Sequence, residues 1–267
     1  MKKNKTLTEI NLESIQFENE IFQINSELLK ENSTIEKLDL AFNRFEEEGI
    51  TSVFEKKSLK KNKTLKKLRF FNQIKKEQLE SISQFIAEND TLEMINISEN
   101  AEIFSKKENV EQLFDSLKKN SSVKELAIPR NEFNQDFQVD SLCQFIQSNP
   151  CSLKKLDLSE NQINLKSLNS IYKSLKCNFS LTRIGIFDFN DEKKFLLLKR
   201  KIDFLLNCNK KWKTQNHIYF YNQFKQSVFT FIVCLKENQK DFSSKIPKFV
   251  LFEIIKKIDR RSFKPNY

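Results

Sequence analysis

Leu153-Lys154-Lys155-Leu156-Asp157-Leu158-Ser159-Glu160-Asn161 decides the fold. Its spacing, L-x-x-L-x-L-x-x-N, recurs with first positions at Leu7, Ile35, Leu65, Leu92, Val123, Leu153 and Leu181. The gaps between them are 28, 30, 27, 31, 30 and 28 residues. Three and five residues on come Ile10/Leu12, Leu38/Leu40, Leu68/Phe70, Ile95/Ile97, Leu126/Ile128, Leu156/Leu158 and Ile184/Ile186. Self-similarity at a period of about 20 to 50 residues marks a chain of stacked units.

Within one unit, Leu156, Asp157 and Leu158 alternate, which puts the leucines on one face of a strand and the aspartate on the other. Leu165, Leu168, Ile171, Tyr172 and Leu175 then recur by three and four, the spacing of an amphipathic helix. The second copy behaves alike, with Leu38 and Leu40 on a strand and Ile50, Val53 and Phe54 on a helix. One strand and one helix cannot bury these side chains alone, so neighbouring units must stack. The expected architecture is an α/β horseshoe solenoid of about seven strand–helix repeats, with a parallel inner sheet and outer helices. It is expected to span residues 1–213, with a basic helical extension over 214–267.

Two asparagine ladders support this register. The ninth pattern position carries Asn43, Asn100, Asn131 and Asn161, where an inward amide can bond the turning backbone of adjacent repeats. Ile15, Gln73 and Phe189 hold that position elsewhere. A second ladder lies three residues before the repeat's first position, at Asn4, Asn32, Asn62, Asn89, Asn120, Asn178 and Asn209, with Asn149 one residue out of step beside Pro150. Asparagine tolerates the left-handed conformation that ends a helix, so these residues are expected to close the preceding helix.

Strand cores such as Leu38-Asp39-Leu40-Ala41-Phe42-Asn43, and lead-ins such as Asn62-Lys63-Thr64-Leu65, resemble the ribonuclease-inhibitor-like class of leucine-rich repeat proteins. The lead-ins are also similar to those of tropomodulin and of innate-receptor repeat domains. The resemblance covers residues 1 to about 212 and implies a protein-binding surface. One departure is the scarcity of glycine: only Gly49 and Gly185 are present, where the class often places one per repeat.

Composition narrows the chemistry. The 267 residues include 26 phenylalanines, a bias expected of a source that uses Phe where others use Leu. No run approaches the roughly 20 apolar residues of a membrane span. No apolar segment follows Met1-Lys2-Lys3-Asn4-Lys5, so a secretory signal is not expected. The first copy starts almost at residue 1, so its edge is expected either to pair with another molecule or to mark a shortened member. Cys143, Cys151, Cys177, Cys208 and Cys234 show no paired spacing suited to zinc, and reduced thiols in the cytoplasm are expected. Cys177 and Cys208, each just before a ladder asparagine, are expected to fill repeat positions. The single His217 has no nucleophile or acid at a fixed spacing, and two isolated glycines make no phosphate loop. No catalysis, metal or cofactor is expected.

The net charge of +10 is uneven. Residues 1–190 hold 28 basic and 29 acidic side chains, whereas 191–267 hold 18 and 7. Such a basic end attracts acidic partners or anionic surfaces, or is a solvated face. Nucleic acid is not expected, because motifs interleaving basic and aromatic residues are missing. Asn209-Lys210-Lys211-Trp212 repeats the lead-in spacing once more, with Trp212 placed to close the stack.

Residues alternating with the buried leucines should face the concave side. Candidate partner-binding residues are Lys37, Asp39, Phe42, Lys67, Arg69, Phe71, Met94, Asn96, Glu125, Lys155, Asp157 and Arg183. The next positions, among them Ala41, Ser98 and Ser159, should extend that surface. Phe42, Phe71 and Met94 beside Lys67 and Arg69 have the composition of an interface hot spot, or else the phenylalanines shield the loop edge. The expected function is a non-catalytic scaffold binding another protein on this face. In the tail, Ile246-Pro247-Lys248-Phe249-Val250-Leu251-Phe252-Glu253-Ile254-Ile255-Lys256-Lys257-Ile258 resembles the opening of an F-box. That resemblance implies an alternative, a substrate receptor of a ubiquitin ligase whose adaptor contacts would be Pro247, Val250, Leu251, Ile254, Ile255 and Ile258. Two amphipathic helices explain the same pattern. A regulator of a small GTPase or of actin is a third class, which no residue singles out.

Overall fold

In the computed structural model, the described residues are 4–15, 32–43, 54, 62–70, 74–150, 152–186 and 193–214. The chain divides into two units, Met1–Lys211 and Trp212–Tyr267, and nearly all the described residues belong to the first. Each pattern copy supplies one three-residue strand: β1 Glu9–Asn11, β2 Lys37–Asp39, β3 Lys67–Arg69, β4 Met94–Asn96, β5 Glu125–Ala127, β6 Lys155–Asp157 and β7 Arg183–Gly185. They form one parallel sheet in chain order. The described helices are α1 Lys76–Glu88, α2 Ala101–Phe104, α3 Lys107–Lys119, α4 Asp136–Gln147, α5 Leu165–Leu175 and α6 Lys193–Thr214. Helices α1, α3, α4 and α5 pack on one another in the same order.

The register follows from the apolar pattern. Ile10, Leu38, Leu68, Ile95, Leu126, Leu156 and Ile184 lie side by side at the strand centres. All are buried except Ile184, which is half-buried. A one-residue slip would turn this row out of the core, so the pairing is strongly specified. Phenylalanines fill the wider space towards the helices: Phe54 lies 5.1 Å from both Phe70 and Phe85, and Phe114 stacks on Phe145 at 5.1 Å. Leu7 and Ile15 in the first copy are exposed.

Just before each strand, one carbonyl accepts two N–H groups of the next repeat. Thr8 O accepts from Glu36 and Lys37, Glu36 O from Lys66 and Lys67, and the motif continues to Lys154 O with Thr182 and Arg183. Two residues facing one is the arrangement of a β-bulge. It leaves Glu36, Lys66, Glu93 and Lys124 at least partly exposed in an additional row beside the strands.

The lead-in asparagines act differently from expectation. Asn89 and Asn120 are extended (φ −79°, ψ 130° and φ −77°, ψ 134°), and only the displaced Asn149 is left-handed, at φ 52°. Their work is done by the side chain instead. Asn32 Oδ1 accepts the N–H groups of Thr34 and Ile35, both at 2.8 Å, and Asn62, Asn89, Asn120 and Asn178 repeat this. Their amide nitrogens reach back one repeat: Asn62 to Asn32 O, Asn120 to Asn89 O and Asn178 to Ile146 O. The hydroxyls two residues on, Thr34, Thr64, Thr91 and Ser122, donate to Leu7 O, Ile35 O, Leu65 O and Leu92 O. Asn209 continues the ladder from within α6, donating to Asn178 O and Leu181 O. Cys177, expected as a filler, is exposed, while Cys143 is buried.

The other ladder behaves as its spacing suggests. Asn43, Asn100, Asn131 and Asn161 are buried. Their Oδ1 atoms accept the N–H groups of Ile15, Ile74, Asn100 and Asn131 in the preceding repeat, and their Nδ2 atoms donate to Leu12 O, Phe70 O, Ile97 O and Ile128 O. Backbone groups that the short strands leave over are thereby paired.

Candidate functional site

On the side of the sheet opposite the buried row, the first strand positions are Glu9, Lys37, Lys67, Met94, Glu125, Lys155 and Arg183. Neighbouring strands bring opposite charges together: Lys37 Nζ lies 2.8 Å from Glu9 and Lys155 Nζ 2.5 Å from Glu125. The ammonium of Lys37 holds the Glu9 carboxyl below its usual range. The bulge row is paired likewise. Lys66 lies 2.7 Å from Glu36 and is raised by it, and Lys124 lies 2.7 Å from Glu93 and lowers it.

The second strand positions are drawn into the backbone. Asn11, Asp39, Asn96 and Asp157 each accept the N–H two residues on, of Glu13, Ala41, Ser98 and Ser159. This is the local turn that Asx side chains favour. Asp39 also takes the guanidinium of Arg69 at 2.5 Å and is itself largely buried. Of the expected contacts, Asp39, Asn96, Asp157 and Arg69 therefore already serve the fold. Ala41, Ser98 and Ser159, expected to extend the surface, are buried, because the chain turns inward there. Gly185 is tied to the same row. A Cβ on it would stand 2.5 Å from Asp157 Oδ1 and 3.2 Å from Ser159 Oγ, so only glycine fits beside that turn.

The following position is left-handed in every described copy: Ser14, Phe42, Glu99, Arg130 and Glu160 have φ between 53° and 59°. None is glycine, although the conformation costs other residues about 1–2 kcal/mol. The turn is over-determined by bonds from Ser14 N to Ala41 O, Glu99 N to Pro129 O and Arg130 N to Ser159 O. It also projects its side chains outward. Phe42 is 41% exposed, and Arg130 joins Glu99 at 2.8 Å to Glu160 at 2.7 Å. Those two carboxylates raise the Arg130 guanidinium, Glu160 more than Glu99. This three-charge rung was missing from the sequence reading, although the shared repeat position of the three residues signals it.

Lys67 and Arg183 are exposed and Met94 is half-buried; neither Lys67 nor Arg183 forms an ion pair among the described residues. The structure brings Lys37, Lys67, Met94, Glu125, Lys155 and Arg183 onto one face, with Phe42 at its edge. Phe71, Trp212's side chain, His217 and Pro247, Val250, Leu251, Ile254, Ile255 and Ile258 lie outside the described residues. Among the described residues, no three His, Cys, Asp or Glu side chains are placed to hold a metal ion. No described helix is long and apolar enough to cross a membrane.

A family model for the leucine-rich repeat matches residues 31–54 and 149–171, two of the seven copies. The chain has a leucine-rich repeat fold. Among solved structures, this leucine-rich repeat chain is similar to the tropomodulin C-terminal domain of Caenorhabditis elegans, with TM-score 0.48 and 15% identity over 64% of this chain and 96% of that one. It is also similar to leiomodin-1 actin-binding site 2, with TM-score 0.31 and 18% identity over 81% and 89% of the two chains. No curated protein matches the sequence.

Proposed function

We propose that the protein is a non-catalytic interaction scaffold in the cytoplasm and that it binds another protein on the open face of its sheet. One observation carries this reading: the outward strand row is uncovered by any described element and presents exposed charges with an exposed phenylalanine at its edge. Phe42 offers apolar contact, Lys67 and Arg183 offer charge with no ion pair among the described residues, and Met94 adapts to shape. The inter-repeat rungs pair Glu9 with Lys37 and Glu125 with Lys155, which leaves Lys67 and Arg183 as the excess charge of the row. The cytoplasmic placement rests on the sequence, whose five cysteines show no paired spacing. The ligase-receptor alternative depends on residues 246–258 and gains nothing from the described residues.

The test is affinity capture from the source cell with the intact chain, comparing wild type with Phe42→Asn/Lys67→Glu and with a helix-face control, Lys107→Glu. Asparagine keeps the left-handed turn, so the stack should fold. A protein captured by wild type and the control but lost from the double variant is the expected result. Equal recovery by all three would defeat the assignment of the face.

A further inference from the structure

We propose that the outward side of α6 is a second contact surface, made for a bilayer carrying anionic lipid headgroups. Helix α6 has two apolar stripes. Phe195, Ile202, Leu205 and Leu206 are buried with Asn209 on the inner one. Leu196 and Leu197 point the other way and are 45% and 54% exposed. With Lys193 and Arg200 they occupy positions i, i+3, i+4 and i+7, a single line along the helix. Lys194 flanks that line and is exposed.

The charge on this ridge is unlike that of the sheet. On the open face, Glu9–Lys37 and Glu125–Lys155 are joined between repeats. On α6, Lys193, Lys194 and Arg200 have no ion pair among the described residues, and Asp203 is the one acidic side chain between Lys193 and Lys210. The sequence continues the sign, with ten basic and four acidic side chains over residues 215–267. The stripe thus asks for an anionic partner that also accepts aliphatic side chains. Exposed aliphatic side chains flanked by cations on one helix line can enter a headgroup layer without a shaped groove. An acidic protein would have to supply both a groove and matched carboxylates.

Flotation of the intact protein with vesicles decides the matter. Phosphatidylcholine vesicles containing phosphatidylserine should carry the protein upward, pure phosphatidylcholine should not, and added salt should weaken the association. Leu196→Ser/Leu197→Ser and Lys193→Glu/Lys194→Glu should each reduce the floated fraction at least about fivefold, whereas Asp203→Lys should increase it. These side chains are solvent-facing, so circular dichroism and thermal midpoints should match wild type. Absence of flotation, or flotation that none of the variants changes, overturns the proposal. Capture of poly-glutamate without vesicle binding also overturns it and assigns the ridge to an acidic protein.

Discussion

Replacing Asn131 by alanine removes one rung of the inner asparagine ladder, and its cost can be worked from the bonds lost. The side chain is fully buried. Its Oδ1 accepts the Asn100 N–H at 2.5 Å, and its Nδ2 donates to Ile97 O at 2.8 Å. Both partners belong to the preceding repeat and would be left without that bond in the interior. An unsatisfied buried group costs about 1–3 kcal/mol, so two cost about 2–6 kcal/mol. The Asn131 N–H keeps its own acceptor, Asn161 Oδ1 at 2.7 Å, so the loss is confined to the junction with the repeat before. The exposed Asn134→Ala is the control, expected within about 0.5 kcal/mol of wild type. Urea unfolding followed by circular dichroism measures both. Hydrogen exchange should show the Asn100 amide losing protection in Asn131→Ala while amides in β6 and β7 lose less. If Asn131→Ala proved no more costly than Asn134→Ala, the ladder would not be what joins the repeats.

Three further outcomes follow from the same geometry. Leu156→Ala opens a cavity at a buried strand centre and should cost roughly 2–5 kcal/mol by urea titration; a loss under about 0.5 kcal/mol would place this leucine outside the core. Gly185→Ala forces a methyl group against Asp157 and should cost about 1–3 kcal/mol. Adding Asp157→Ala should recover part of that loss, a non-additivity that a double-mutant cycle detects. Finally, Glu9, Asp90 and Glu93 are each held below their ordinary values by a bonded lysine, Lys37, Lys63 and Lys124. A lowered folded value means that the contribution is present above the unfolded value and fades as pH falls through the folded one. Carboxylate titration by NMR should therefore place these three midpoints below those of model peptides, and high salt should narrow the difference.

The repeat architecture was legible because the strand centres are read from one short spacing, and the structure puts Leu156 beside Leu126 and Ile184 as that spacing requires. The inner asparagines were legible for the same reason. The lead-in asparagines were misread: their residue type suits a left-handed cap, but an amide that can accept from two N–H groups and donate backwards is more useful extended. Sequence alternation also over-counted the contact surface. It places Asp39 and Asp157 outward correctly, but it cannot tell that the N–H two residues on draws their carboxylates in. Arg69 lost its independence to an aspartate thirty positions away in sequence, a contact visible only once the register is known. Leu196 and Leu197 were invisible in the α6 sequence, because a leucine-rich run does not say which of its members the core takes.

The asparagine and threonine side chains that span the repeats act mostly in one direction. Leu7 O, Leu12 O and Ile15 N are bonded by Thr34 and Asn43, and the same order recurs to Leu181 O and Asn209. Among the described residues, the backbone of a unit is thus largely completed by side chains of its successor. During synthesis, these backbone groups stay without their side-chain partners until about thirty more residues have left the ribosome.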